Sequence, residues 1–321
     1  MRPMSDSTST RSVPSIDAPA GSSIAWLRDV AATVRDQLPV HGAVLIRGLP
    51  FEAPVDLVEA RRALGIRAFT PIEDFVPRRD LGHGVVAPIQ WPDDRLLCPF
   101  QEGSFSAESP RTVLTACVTP PDSGGQAHLA DTRLISAHLP DDLVDRVRAH
   151  GWSMTRVFHD GFGIPWSDAF STSDPAQLED LLARDGIEYR WLPEGSLRTV
   201  RRRPAVVAHP VTGEECWFNQ LAFLNSASME PRELAILTEA FGEDIPMDTA
   251  FGDGTPVSTV DLNVMQQAYD EVTSVVDWRA GDLLVVDNVM TAQGRAPFTG
   301  APEFLIAFGG ETPEPRKGGR R

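Results

Sequence analysis

The stretch GDLLVVDNVMTAQGRAPFTG, Gly281 to Gly300, opens with an apolar β-rich run, DLLVVD, set between Gly281 and Asp287-Asn288. Similar runs occur at 111–119 (RTVLTACVT), 204–210 (PAVVAHP), 216–220 (CWFNQ) and 303–308 (EFLIAF), bounded by Gly, Pro and Asp, which interrupt strands. HPVTGEECW (209–217) reads as a hairpin turn between two of them. These strands lie far apart in the chain. That separation predicts a mainly β, jelly-roll-like closed sheet with helical insertions rather than a βαβ series.

Helical spacing appears between the strands. Ile24, Leu27, Ala31, Val34 and Leu38 recur at that spacing and run into HGAVLIRG (41–48), which predicts a helix followed by a buried strand. Asp174 and Pro175 supply an N-cap and a first helical residue for AQLEDLLARDG (176–186), which Gly186 closes. Ser258 caps a second long segment, predicted to reach about Trp278. There is no internal repeat, so one domain is expected over 21–310, with disordered tails at 1–20 and 311–321.

Composition narrows the function classes. The 321 residues carry 29 basic against 45 acidic side chains, a net charge of −16, which argues against binding a phosphate backbone. Arg201-Arg202-Arg203 is too short a basic run to change that. Cys98, Cys117 and Cys216 are odd in number and widely spaced, so neither a disulfide framework nor a thiolate metal site is indicated. The polar start, MRPMSDSTSTRSVPS, has no apolar core of a signal peptide, and no run approaches the ~18 apolar residues of a membrane span. A cytoplasmic protein with a small-molecule substrate is expected, without nucleic acid or membrane partners and with self-association left open.

Four blocks in order, HGAVLIRGLP (41–50), SPRTVLTACVTPPDSGGQAHLADTR (109–133), HPVTGEECWFNQ (209–220) and GDLLVVDNVMTAQGRAPFTG, resemble the TauD/TfdA family, the taurine dioxygenase and clavaminate synthase-like oxygenases. The resemblance covers roughly residues 25 to 310. It implies a double-stranded β-helix with the active site at its mouth. It also implies iron(II) held by two histidines and a carboxylate, with 2-oxoglutarate bound beside it.

At the implied ligand positions this chain departs from the family. Pro92 stands eight residues before Phe100, which places Phe100 at the first histidine position, while Glu102 keeps the carboxylate. Asp287-Asn288 leads to Gln293-Gly294-Arg295, placing Gln293 at the second histidine. The family's co-substrate arginine falls at Glu303 by a count of ten from Gln293, and Ala127 stands where a helping threonine would be. Phenylalanine has no lone pair, and a glutamine amide oxygen is a weak ligand. These replacements lead to the expectation that neither iron(II) nor 2-oxoglutarate binds, hence no metal ligands and no cofactor.

The remaining candidates follow from that cavity. Glu102 beside Phe100 and Phe105 suits a general acid or base, Gln293 a substrate hydrogen bond, and Arg295 a substrate carboxylate. His128 neighbours the lost threonine position, although strand alternation points it away from Ala127. His159-Asp160 is a second candidate base. Trp217, Asn219 and Gln220 of the WFNQ block, with Trp166 near Phe170 and Thr172, are expected at the substrate side. Three classes stay open: an iron-independent biosynthetic enzyme of secondary metabolism, using acid/base chemistry (cyclisation, isomerisation, elimination or condensation) on an amino-acid-derived metabolite; a non-catalytic binding or partner protein; and a dioxygenase with unconventional ligands.

Overall fold

The computed structural model describes residues 13–71, 73, 76 and 78–310. Eleven strands make the central body: β1 (Ser15–Asp17), β2 (Ala43–Arg47), β3 (Asp80–Gly82), β4 (Val85–Val86), β5 (Leu97–Phe100), β6 (Thr112–Thr119), β7 (Ala127–Asp131), β8 (Thr273–Val276), β9 (Asp282–Asp287), β10 (Thr291–Arg295) and β11 (Glu303–Gly309). The major sheet has the order β1-β2-β9-β6-β11-β4-β3, and the minor sheet has the order β8-β7-β10-β5. This is the double-stranded jelly roll expected from the sequence, with most neighbouring strands non-consecutive in the chain.

The DLLVVD run is apolar along its whole length because both faces of β9 are covered. Leu283 and Val285 join Val44, Ile46, Leu114, Ala116, Leu305 and Ala307 against the helices Leu27–His41 and Pro54–Ala63. Leu284 and Val286 face the other way, packing with Ala43 and Leu45 on Ala127, Leu129 and Val276 of the minor sheet. Each fully buried Leu or Val here contributes on the order of 2 kcal/mol. Behind the minor sheet, Ala130 and Ala292 pack on Leu262, Met265, Ala268 and Tyr269 of the helix Thr259–Glu271.

The local expectations hold with three adjustments, one being that the run CWFNQ is extended only as far as Trp217, in the strand Glu215–Trp217. Asp174 accepts from the Ala176 amide at 2.9 Å and opens the helix Pro175–Arg184. Ser258 accepts from Asp261 at 3.1 Å, but that helix ends at Glu271 and not near Trp278. The β-branched Val272, Thr273, Val275 and Val276 favour extended backbone, and Thr273–Val276 pairs with β7. Within the expected N-terminal tail, Ser15–Asp17 forms β1, parallel to β2. Residues 1–12 and 311–321 lie outside the described residues. No helix among the described residues is long and apolar enough to cross a membrane.

A four-stranded outlying sheet, made by Glu188–Trp191, Leu197–Arg203, Trp152–Phe158 and Met247–Phe251, is inserted between β7 and β8 in the chain. It sends Arg156 and Arg201 inward, and both guanidiniums pair with Glu73, which is 5% exposed. Glu73 thereby joins this sheet through a buried Arg-Glu-Arg arrangement. Removing one member of such a group leaves uncompensated buried charge. Glu73→Gln, which keeps the shape and removes the charge, is expected to cost about 3–5 kcal/mol. A lower urea midpoint with an unchanged denaturant slope would show it.

Candidate active site

The two sheets part at one end around a cavity of about 120 Å³, whose walls include Phe100, Glu102, Ala127, Gln293, Arg295 and Phe304. Strand register brings these together from distant parts of the chain. Gln293 on β10 lies between Phe100 of β5 and Leu129 of β7. The next residue has to be glycine, because a Cβ on Gly294 would sit 2.3 Å from the Leu97 carbonyl oxygen. Phe100 stacks on Phe223 with centroids 5.3 Å apart, and Trp91 lies 5.9 Å further on.

Glu102 follows directly after β5 and is held at both backbone and side chain. Asn288, at 0% exposure, accepts from the Glu102 amide at 2.8 Å and donates to the carbonyls of Glu102 and Pro110, each at 2.8 Å. Asp287 beside it accepts from the Val289 and Met290 amides at 3.0 and 3.3 Å. Its other oxygen takes Arg111 at 3.0 Å and His209 Nε2 at 3.0 Å, while His209 Nδ1 accepts from the Thr212 amide. The Asp-Asn pair is therefore a backbone clamp that sets the position of Glu102.

The Glu102 carboxylate has a partner that no sequence motif marks. Arg78 Nη2 donates to Glu102 Oε1 at 2.6 Å, and the two side chains are 9% and 18% exposed. The apolar setting expected for Glu102 is thus corrected to an ion pair lying between Phe100 and Phe308. Arg78 sits on an irregular segment 24 residues before Glu102, outside every block of family resemblance, so no spacing pointed to it.

The other predicted residues divide into three groups. Gln293 reaches the cavity, and its amide makes no hydrogen bond among the described residues. Phe105 and Gln220 line a smaller chamber on the far side of Phe100 and Glu102. Arg295 lines the main cavity as a staple: it donates to the carbonyls of Trp91, Pro92, Arg95 and Ala296 at 3.0–3.2 Å and lies over the Phe298 ring. Burial lowers its pKa from the usual guanidinium value. This is correction enough to its expected role as a free carboxylate fork.

His128, Trp166, Trp217 and Asn219 do not meet the cavity. Alternation on β7 directs Ala127 and Leu129 inward and His128 outward, where burial lowers its pKa. Trp166 makes an edge contact with Trp191 in the cluster of the outlying sheet. Trp217 is 1% exposed in the core, and its carbonyl accepts from Gln101 at 2.6 Å. Asn219 ties its own loop, donating to Ala205 and accepting from Leu221. His159 bonds the Asp244 carbonyl at 2.6 Å and stacks on Phe241. Glu303 is also displaced: a register shift separates it from Phe304, and it is Phe304 that faces the cavity, with Trp278 at 5.0 Å.

Comparison with known proteins places this geometry. The chain is 26% identical over 272 residues to the dapdiamide synthesis protein DdaC of Enterobacter agglomerans, covering 84% of this chain and 83% of that protein. Asparagine oxygenase in complex with Fe(II), 3-hydroxyasparagine and succinate matches with a TM-score of 0.56 at 17% identity, over 88% of this chain and 79% of that one. PvcB, an iron and α-ketoglutarate dependent oxygenase from an isonitrile synthetic pathway, matches at 0.54 and 13% identity, over 92% and 85%. At these identities the two structures show the fold.

They also correct the expectation of a cofactor-free protein, since solved members of this fold are iron(II) and α-ketoglutarate oxygenases, one with Fe(II) and succinate in place. That expectation rested on substitutions at motif positions, and loss of a ligand side chain does not by itself bar a cofactor from an open cavity. As to fit, Phe100 and Phe304 present no donor atoms, and no three His, Cys, Asp or Glu side chains meet in a metal-binding group among the described residues. The described residues of this chain do not make the family's three-ligand face. The family model for taurine catabolism dioxygenase TauD, TfdA family, matches residues 8–307, and the chain belongs to that family.

Proposed function

We propose that the protein is a biosynthetic enzyme that transforms a small amino-acid-derived metabolite in the cavity between the two sheets, with Glu102 as the proton-transfer group. The observation that carries this is the way Glu102 is held: Asn288 fixes its backbone, Arg78 takes Oε1, and Oε2 has no protein donor among the described residues. A carboxylate so oriented beside a cavity can accept a substrate proton at Oε2 and return it at another position. This is the step shared by cyclisation, isomerisation, elimination and condensation. The unpartnered amide of Gln293, one strand away, is suited to orient a carbonyl or hydroxyl of the substrate. The aromatic wall of Phe100, Phe223 and Trp91 excludes water on one side. Similarity to a protein named for dapdiamide synthesis supports a biosynthetic role and a substrate of amino-acid character.

The test compares metabolite profiles of the source organism carrying the wild-type gene, no gene, or the Glu102→Gln variant. A product lost in both altered strains is expected, with turnover of the variant lowered about 10²–10⁴-fold. Full product from Glu102→Gln at wild-type protein levels would remove Glu102 from the chemistry. No metabolite difference on deleting the gene would favour the binding-protein alternative.

Asn288→Ala probes the clamp separately. It deletes one acceptor and two donations to buried backbone, so a stability loss of about 2–4 kcal/mol is expected. Activity should fall together with it, while Asn288→Asp, which preserves the acceptor for the Glu102 amide, should retain more of both. Thermal unfolding and turnover measured on the same samples check this.

A further inference from the structure

Behind Phe100 and Glu102 lies a second, smaller chamber of about 30 Å³, lined by Glu73, Arg78, Glu102, Phe105, Gln220 and Phe308 among others. Space of that size holds roughly two water molecules or one carboxylate group. Arg78, Phe100 and Glu102 line both this chamber and the main cavity, so the ion pair forms the partition between them.

Three features of the partition point to a ligand. Arg78 is nine-tenths buried with its guanidinium 5.2 Å over the Phe308 ring, and while Nη2 is bonded to Glu102, Nη1 is buried with no partner. Gln220 donates through Nε2 to the Gln101 carbonyl at 2.7 Å, which fixes the amide orientation and leaves Oε1 as a buried acceptor without a donor. Arg201 leaves Nε and Nη1 without partners beside Phe105. Glu108, the remaining carboxylate on the chamber wall, is solvent-exposed and screened.

Resting on the functional reading above, we infer that this chamber is the anchoring subsite for an amino-acid head group: the ligand carboxylate takes Arg78 Nη1, and an adjacent N–H donates to Gln220 Oε1. A carboxylate supplies the acceptor that Nη1 lacks, and an N–H supplies the donor that Gln220 lacks. The rest of the ligand then extends past Phe100 into the main cavity, beside Glu102 Oε2. Arg78 and Gln220 become specificity-determining residues, selecting N-substituted amino acids over neutral amides.

Saturation-transfer NMR on the full-length protein tests this with N-acetylglycine, propionate, its neutral isostere propionamide, and 2-oxoglutarate. N-acetylglycine is expected to bind tighter than propionate, and propionamide at least about tenfold more weakly than propionate, the size of one charged hydrogen bond. Arg78→Met should abolish that preference. Glu102→Gln, which frees Arg78 from its internal carboxylate and leaves it in place, should instead raise the affinity for propionate several-fold. Equal binding of propionate and propionamide, or no binding of any probe, would mean the chamber holds water and would overturn the inference. So would weakened propionate binding by Glu102→Gln. Binding of 2-oxoglutarate that depends on Arg78, with none of N-acetylglycine, would assign the subsite to a co-substrate and overturn the head-group assignment. A metabolite lost on gene deletion, alongside any of these failures, would leave the enzymatic reading standing without the subsite.

Discussion

Asn288 joins the two halves of the molecule at the point where the chemistry has to be. It follows β9, an interior strand of the major sheet, and its side chain holds the backbone of Glu102 just past β5, at the edge of the minor sheet. Three hydrogen bonds of 2.8 Å from one fully buried amide fix the mouth of the jelly roll, because neither sheet supplies ladder partners to residues 102 and 110. An unmet amide or carbonyl at this depth would cost ~1–3 kcal/mol, so the clamp and the mouth stand or fall together. The pair Asp287-Asn288 does this work irrespective of what occupies the positions downstream of it.

The fold was legible because its strands carry both kinds of signal. DLLVVD, RTVLTACVT and EFLIAF are rich in β-branched and apolar residues, and each became a strand of the major sheet with one face on helices; the other face of DLLVVD packs on the minor sheet, while Val113, Thr115, Phe304 and Ile306 of the other two line the cavity. What sequence spacing could not resolve was a change of one residue. The register shift between Glu303 and Phe304 reverses which of them faces the cavity, so a count along the chain named the wrong side chain. The helix after Ser258 was overextended for a related reason: helical periodicity persists into Val272 to Val276, and only pairing with β7 makes that segment a strand.

The site was half legible. Phe100, Glu102, Gln293 and Arg295 do converge, as the block spacing implied, because all four ride on two adjacent strands and the turn after one of them. Residue type, however, does not announce where a side chain spends its hydrogen bonds. Arg295 looked like a substrate fork and is satisfied by four carbonyls, whereas Arg78 and Glu73, on a segment without any motif, carry the charge that organises the interior. Long-range ion pairs leave no periodic trace in a sequence.

The aromatic replacements change what these charges are worth. With Phe100 and Phe223 stacked at one wall and Phe304 against Trp278 at another, the polar groups of the cavity are surrounded by low-dielectric material. Coulombic interactions there are stronger than at the surface, and so is the desolvation each charge has undergone. An apolar filling of the same volume would often be as stable as a buried ion pair or more so. A chain needing only a scaffold would gain nothing from Arg78 held face-on by Phe308 with one edge on Glu102 and the other on no one. The arrangement is costly in the free protein and becomes favourable when an anion arrives, which is the energetic form expected of a binding site that is built before its ligand.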